Sequence, residues 1–83
     1  MRTLYEDPKI ANLKSYLKKA RVLHGYTQEQ LAELTEVNIK SIAAYEQDPK
    51  KLYNAGYGTV HRIASCLGCD TEDIINPEFL SKE

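Results

Sequence analysis

The segment Cys66-Leu67-Gly68-Cys69 has the spacing at which paired thiols exchange disulfides or hold half of a zinc site. Either chemistry needs more than the pair. A redox pair of this kind sits near a βαβ pattern and a structural zinc takes a second ligand pair, and the sequence supplies neither. His61 precedes Cys66 by five residues, which at about 3.6 residues per turn puts the two on different helix faces. Free cysteine packs as a small hydrophobe, so Cys69 is expected in the core, with both thiols reduced and metal-free. His24 stands beside a helix-stopping glycine with no nucleophile among its neighbours, and reads as a surface residue. The serines and carboxylates form no ordered acid-base motif, so no catalytic residue, metal or cofactor is expected, and the chain is not expected to be an enzyme.

Charge and hydrogen-bonding capacity are distributed more tellingly. Lys+Arg 11 against Asp+Glu 12 gives a net charge of -1, so overall basicity does not point to nucleic acid. Residues 9 to 24 nevertheless carry five positive charges, and residues 49 to 62 carry three. Between them, residues 28 to 48 hold five acids against Lys40. A surface with that balance should bind DNA non-specifically only weakly.

These side chains must be positioned by helices. Asp7 before Pro8 is a helix start, and Ile10, Leu13, Leu17 and Ala20 follow at helical spacing until Gly25 stops the run. Thr27 and Gln30 form a capping box that starts a second helix at Gln28, with Leu31 and Leu34 facing inward. A short link, Thr35 to Val37, leads to Asn38, which caps a third helix with Ile42 and Tyr45 inward. The stretch from Asp48 to Gly56 reads as an exposed, charged connection. Tyr57, Val60, Ile63, Ala64 and Leu67 share one face of a fourth helix that ends at Gly68. Asp70 caps a last short helix through Ile74 and Ile75, before Pro77 and a tail holding Phe79 and Leu80. No alternating strand pattern, repeat or low-complexity tract interrupts this all-α reading.

The 83 residues leave room for one domain, 1–83, with its central motif at about 28–47 and a tail at 77–83. At 42% hydrophobic and 28% charged residues the chain should fold, with the modest stability of a small core. The first residues lack a signal-peptide core and no stretch approaches the roughly 20 apolar residues of a membrane span, so a cytoplasmic protein without membrane contact is expected.

Two short helices joined by a few residues, the second with a polar cap, make a helix-turn-helix pattern. The order of Leu17, Arg21, Gly25, Thr27-Gln28, Leu31-Ala32, Val37, Ile42, Glu46, Ile63-Ala64 and Leu67-Gly68 resembles the lambda-repressor-like, Cro-type (XRE) family. The resemblance runs from about Leu13 to Ile75 and implies a compact five-helix bundle that sets its third helix in the DNA major groove. Small Ala32 lets the motif helices cross closely, and Val37 and Ile42 fill the space beneath the turn.

By the same resemblance, Asn38, Ile39, Lys40 and Ala44 match base-reading positions. Ile39 and Ala44 suit thymine methyls, and Lys40 suits guanine or phosphate. Gln28, with the free N–H groups that begin the second helix, matches the family's phosphate clamp. Ser41 neighbours the base-reading positions, and Lys50 and Lys51 follow the third helix close to where a second phosphate track should pass, so these three are also expected at the DNA backbone. Arg21 and Glu46 match a structural ion pair joining the first helix to the end of the third. Cys69 aligns with a position that is usually apolar. Two departures stand out: Glu36 occupies a turn position often held by glycine, and the connection from Asp48 to Gly56 is about three residues longer than the family's usual link.

The expected function is therefore a sequence-specific transcriptional regulator of the repressor type, acting by occupancy of a double-stranded DNA operator. A two-fold homodimer is expected, because one small reading head makes too few base contacts to select a site, and Ile74, Ile75, Phe79 and Leu80 offer a joint. The competing reading keeps the fold but turns the third helix toward a protein partner, as an interaction module or an antitoxin-like regulator. Exposed Ile39 and Ala44 would serve that role too.

Overall fold

A computed structural model describes residues 15–80. Among these residues every regular element is a helix: α1 (Tyr16–Leu23), α2 (Gln28–Thr35), α3 (Ile39–Gln47), α4 (Pro49–Tyr53), α5 (Tyr57–Cys66), α6 (Thr71–Ile74) and α7 (Pro77–Leu80). The fold is all-α, as expected. Two single-turn helices, α4 and α7, add to the five expected, making seven among the described residues.

The expected start at Asp7-Pro8, with Ile10 and Leu13, lies outside the described residues. The helix bearing Leu17 and Ala20 begins at Tyr16, because Ser15 is extended (φ -97, ψ 125) and its hydroxyl accepts from the Lys18 N–H at 3.1 Å. A helix running unbroken from Pro8 is thereby corrected. Gly25 ends α1 at φ 75, a left-handed backbone that costs a side-chain-bearing residue about 1–2 kcal/mol.

The Thr27 hydroxyl accepts from the Gln30 N–H at 3.0 Å, and the Gln30 carboxamide oxygen accepts from the Thr27 N–H at 2.9 Å. These reciprocal bonds satisfy two of the free donors that open α2. Its far end turns at Glu36, which takes φ 59 and ψ 29, so the left-handed turn is kept without glycine. Leu31 is fully buried but Leu34 is 52% exposed, which corrects the inward placement of Leu34. Thr35 takes the inward position one turn beyond Leu31 because its hydroxyl donates to the Leu31 carbonyl at 2.8 Å and needs no water.

The Asn38 side chain caps α3 by accepting from the Lys40 N–H at 2.7 Å. The segment after it is not an open connection: Asp48 accepts from the Lys50 N–H at 3.2 Å, Pro49 takes the first turn, and Leu52 is buried beneath α4. Leu17, Leu31, Ile42, Leu52, Ile63, Leu67 and Ile74 meet in one core. The last elements close it against α1, whose Tyr16 N–H donates to Asn76 Oδ1 at 3.0 Å. No helix among the described residues is long and apolar enough to cross a membrane.

Candidate nucleic-acid interface

Arg21 and Glu46 are charged residues at buried positions, and burial of charge is tolerated only where its partners are complete. Here they are. Arg21 Nε donates to Glu46 Oε2 at 2.6 Å and Nη2 to Oε1 at 3.0 Å, a two-pronged pairing that suits the planar guanidinium. Arg21 Nη1 donates to the Tyr26 carbonyl at 2.8 Å, and Gln28 Nε2 donates to Glu46 Oε1 at 3.0 Å. The Arg21–Glu46 pair thus gathers α1, the α1–α2 turn, the first residue of α2 and the last turn of α3. The direction of α3 relative to the other motif helix is fixed by these bonds and by the packing of Ile42 beneath it.

The outer side of α3 carries the residues matched to base reading. Asn38 and Lys40 are exposed, Ile39 is 39% exposed, and Ser41 and Ala44 are half-buried. Asn38 Oδ1 accepts the capping bond with one lone pair, and the amide keeps two N–H donors that suit phosphate oxygens or base acceptors. Ile39 and Ala44 offer methyl surface and Lys40 a mobile charge.

The backbone set is more scattered. Gln28 is half-buried and held by Glu46, which leaves one amide N–H and the carbonyl oxygen for an outside partner. Lys50 and Lys51 are exposed on α4, mounted on a helical turn anchored by Leu52. Lys18 and Gln47 escape the sequence comparison: with Gln28, Ala43 and Glu46 they line a cleft between α1, α2 and α3. Both had a signal in spacing, since Lys18 lies one turn before Arg21 and Gln47 two turns after Ile39's side of α3.

Neither thiol lines that cleft, and both pack at the edge of the hydrophobic core. Cys69 packs against it with Sγ 3.7 Å from the Ala64 carbonyl, and Cys66 Sγ is 3.5 Å from the Leu34 carbonyl. Burial, and after it the charges of Asp73 and Asp70, push the Cys69 thiol pKa up, away from reactive thiolate. His61 packs its ring against Tyr57 at 5.4 Å, and exposed His24 stacks on Tyr26 at 5.9 Å. A family model described as a helix-turn-helix domain matches residues 15–78. No curated protein and no solved structure matches the chain.

Proposed function

Because the chain belongs to the Cro/XRE-type helix-turn-helix family, whose members are DNA-binding regulators, we propose that it is a sequence-specific transcriptional repressor reading the major groove with α3. The observation that carries this reading is the bonding at Glu46. It holds α3 by its buried side and leaves Asn38, Ile39 and Lys40 outward, as a reading helix requires. Base contacts come from Asn38, Ile39, Lys40 and Ala44, and backbone contacts from Gln28, Ser41, Lys50 and Lys51. Action is by occupancy. Glu29, Glu33, Glu36 and Asp48 are exposed around the motif and lower its affinity for DNA at large, so selectivity rests on the fit of α3.

Exposed Leu34 favours a second reading, in which the motif also meets a protein partner, as in an antitoxin-like regulator. A salt-titrated binding assay against DNA from upstream of the protein's own coding sequence tests the repressor reading. Saturable binding that competitor DNA of other sequence does not displace supports the repressor. Absence of any salt-dependent DNA binding would reject it.

A further inference from the structure

The outward side of α3 runs into the cleft lined by Lys18, Gln28, Ala43, Glu46 and Gln47. Ala43 and Gln47 follow Ile39 at intervals of four residues, so the cleft adjoins the C-terminal end of the reading surface. In a docked helix of this kind the N-terminal residues meet base edges, which sends the C-terminal end out toward the sugar-phosphate rim.

The chemistry of the cleft suits that neighbour. Both Glu46 oxygens are occupied by Arg21 and Gln28, and its charge is balanced by Arg21, so the carboxylate in the cleft presents little net repulsion to an anion. Gln28 keeps one amide N–H, oriented by its bond to Glu46. Gln47 adds an exposed amide. Lys18 is half-buried, and its ammonium has no ion-pair partner among the described residues.

We infer that Lys18 supplies the positive charge of a DNA phosphate contact in this cleft, with Gln28 and Gln47 as neutral donors beside it. This rests on the DNA-binding reading above and extends it by a residue of α1, outside the helix-turn-helix itself. Charge and neutral donors are separable by experiment. A lysine on a phosphate releases condensed counterions and contributes about 0.9 to the slope of log affinity against log salt, whereas an amide adds affinity with no such release.

The test is a salt titration of the full chain on duplexes of about 30 base pairs, one from upstream of its own coding sequence and one of mixed sequence. Lys18→Met should make the slope shallower by about 0.9 per bound protomer on both duplexes. Lys18→Arg should keep the slope, while Gln28→Ala and Gln47→Ala weaken binding at unchanged slope. Lys18→Gln provides a second neutral replacement should the methionine variant fail to fold. A folded neutral variant with the parent slope overturns the inference while leaving the DNA-binding function standing. If the unaltered chain binds neither duplex, that function fails and the inference falls with it.

Discussion

Arg21 and Glu46 are joined by two hydrogen bonds, at 2.6 and 3.0 Å, although 25 residues separate them in the chain. Their side chains are only 10% and 3% exposed, so neither charge has water to fall back on. Removing one partner should cost about 3–5 kcal/mol, mostly from the buried charge left behind. Glu46→Leu and Arg21→Met alone are each expected to lower the urea midpoint strongly, and the double variant to recover much of the loss. Arg21→Lys should rescue poorly, since an ammonium cannot repeat the two-pronged geometry. A double variant whose loss equals the sum of the two single losses would mean that the pair is not coupled.

Glu36 holds the turn between α2 and α3 at φ 59, where glycine would sit without strain. Glu36→Gly should therefore stabilise the fold, by about 0.5 kcal/mol after allowing for the extra freedom of the unfolded chain. That corresponds to a rise of roughly 2–4 °C in Tm for a domain of this size. A lower Tm would show that the Glu36 side chain contributes more than its backbone strain removes.

Such turn and cap chemistry is the part of the fold most legible in the sequence, because each device acts over three or four residues. Thr27 with Gln30, Asn38 at the head of α3, and Gly25 and Gly68 at left-handed helix stops are all of this kind. Burial is less legible. Hydrophobicity favours Leu34 over Thr35 for the core, yet a local bond to the Leu31 carbonyl lets Thr35 enter and the helical phase turns Leu34 outward. Asp48-Pro49 carries a helix-start signal within a polar stretch, and only the tertiary seat for Leu52 makes a helix of it. For the candidate site, the residues of α3 follow from spacing along one helix, whereas the cleft of Lys18, Gln28 and Gln47 needs three helices placed in space.

Methyl recognition by α3 is open to a chemical test on the DNA. Ile39 and Ala44 present methyl groups and no hydrogen-bonding side chain, so thymines facing them should be read through their 5-methyl groups. Replacing each such thymine by deoxyuridine removes one methyl and should weaken binding about fourfold where the contact is fully buried. Ile39→Ala should reduce that sensitivity at its own position. Unchanged affinity for an operator with every thymine replaced would remove Ile39 and Ala44 from the reading set.

The remaining expectation is a two-fold homodimer on DNA, and the structure narrows its joint. Ile74 and Ile75 are 1% and 5% exposed and belong to the protomer's own core, which corrects their assignment to the joint. The apolar surface left near the C-terminal end is Leu80, 42% exposed, with Tyr57, 72% exposed, and Tyr53, whose ring stacks on Phe79 at 5.5 Å. Tyr53, Tyr57 and Leu80 line a common groove with Val60 and Ile75 at its base, so the patch is continuous. Pairing two such patches would double the base contacts and set the two copies of α3 on half-sites about 34 Å apart, one turn of DNA. Leu80→Ser combined with Tyr57→Ser should then leave the fold intact by circular dichroism, because both side chains are exposed, yet reduce operator affinity and convert a two-to-one complex to one-to-one in sedimentation. Ile74→Ser should instead unfold the protomer. A strictly one-to-one complex of the unaltered chain on a non-palindromic site, indifferent to the surface changes, would sink the dimer.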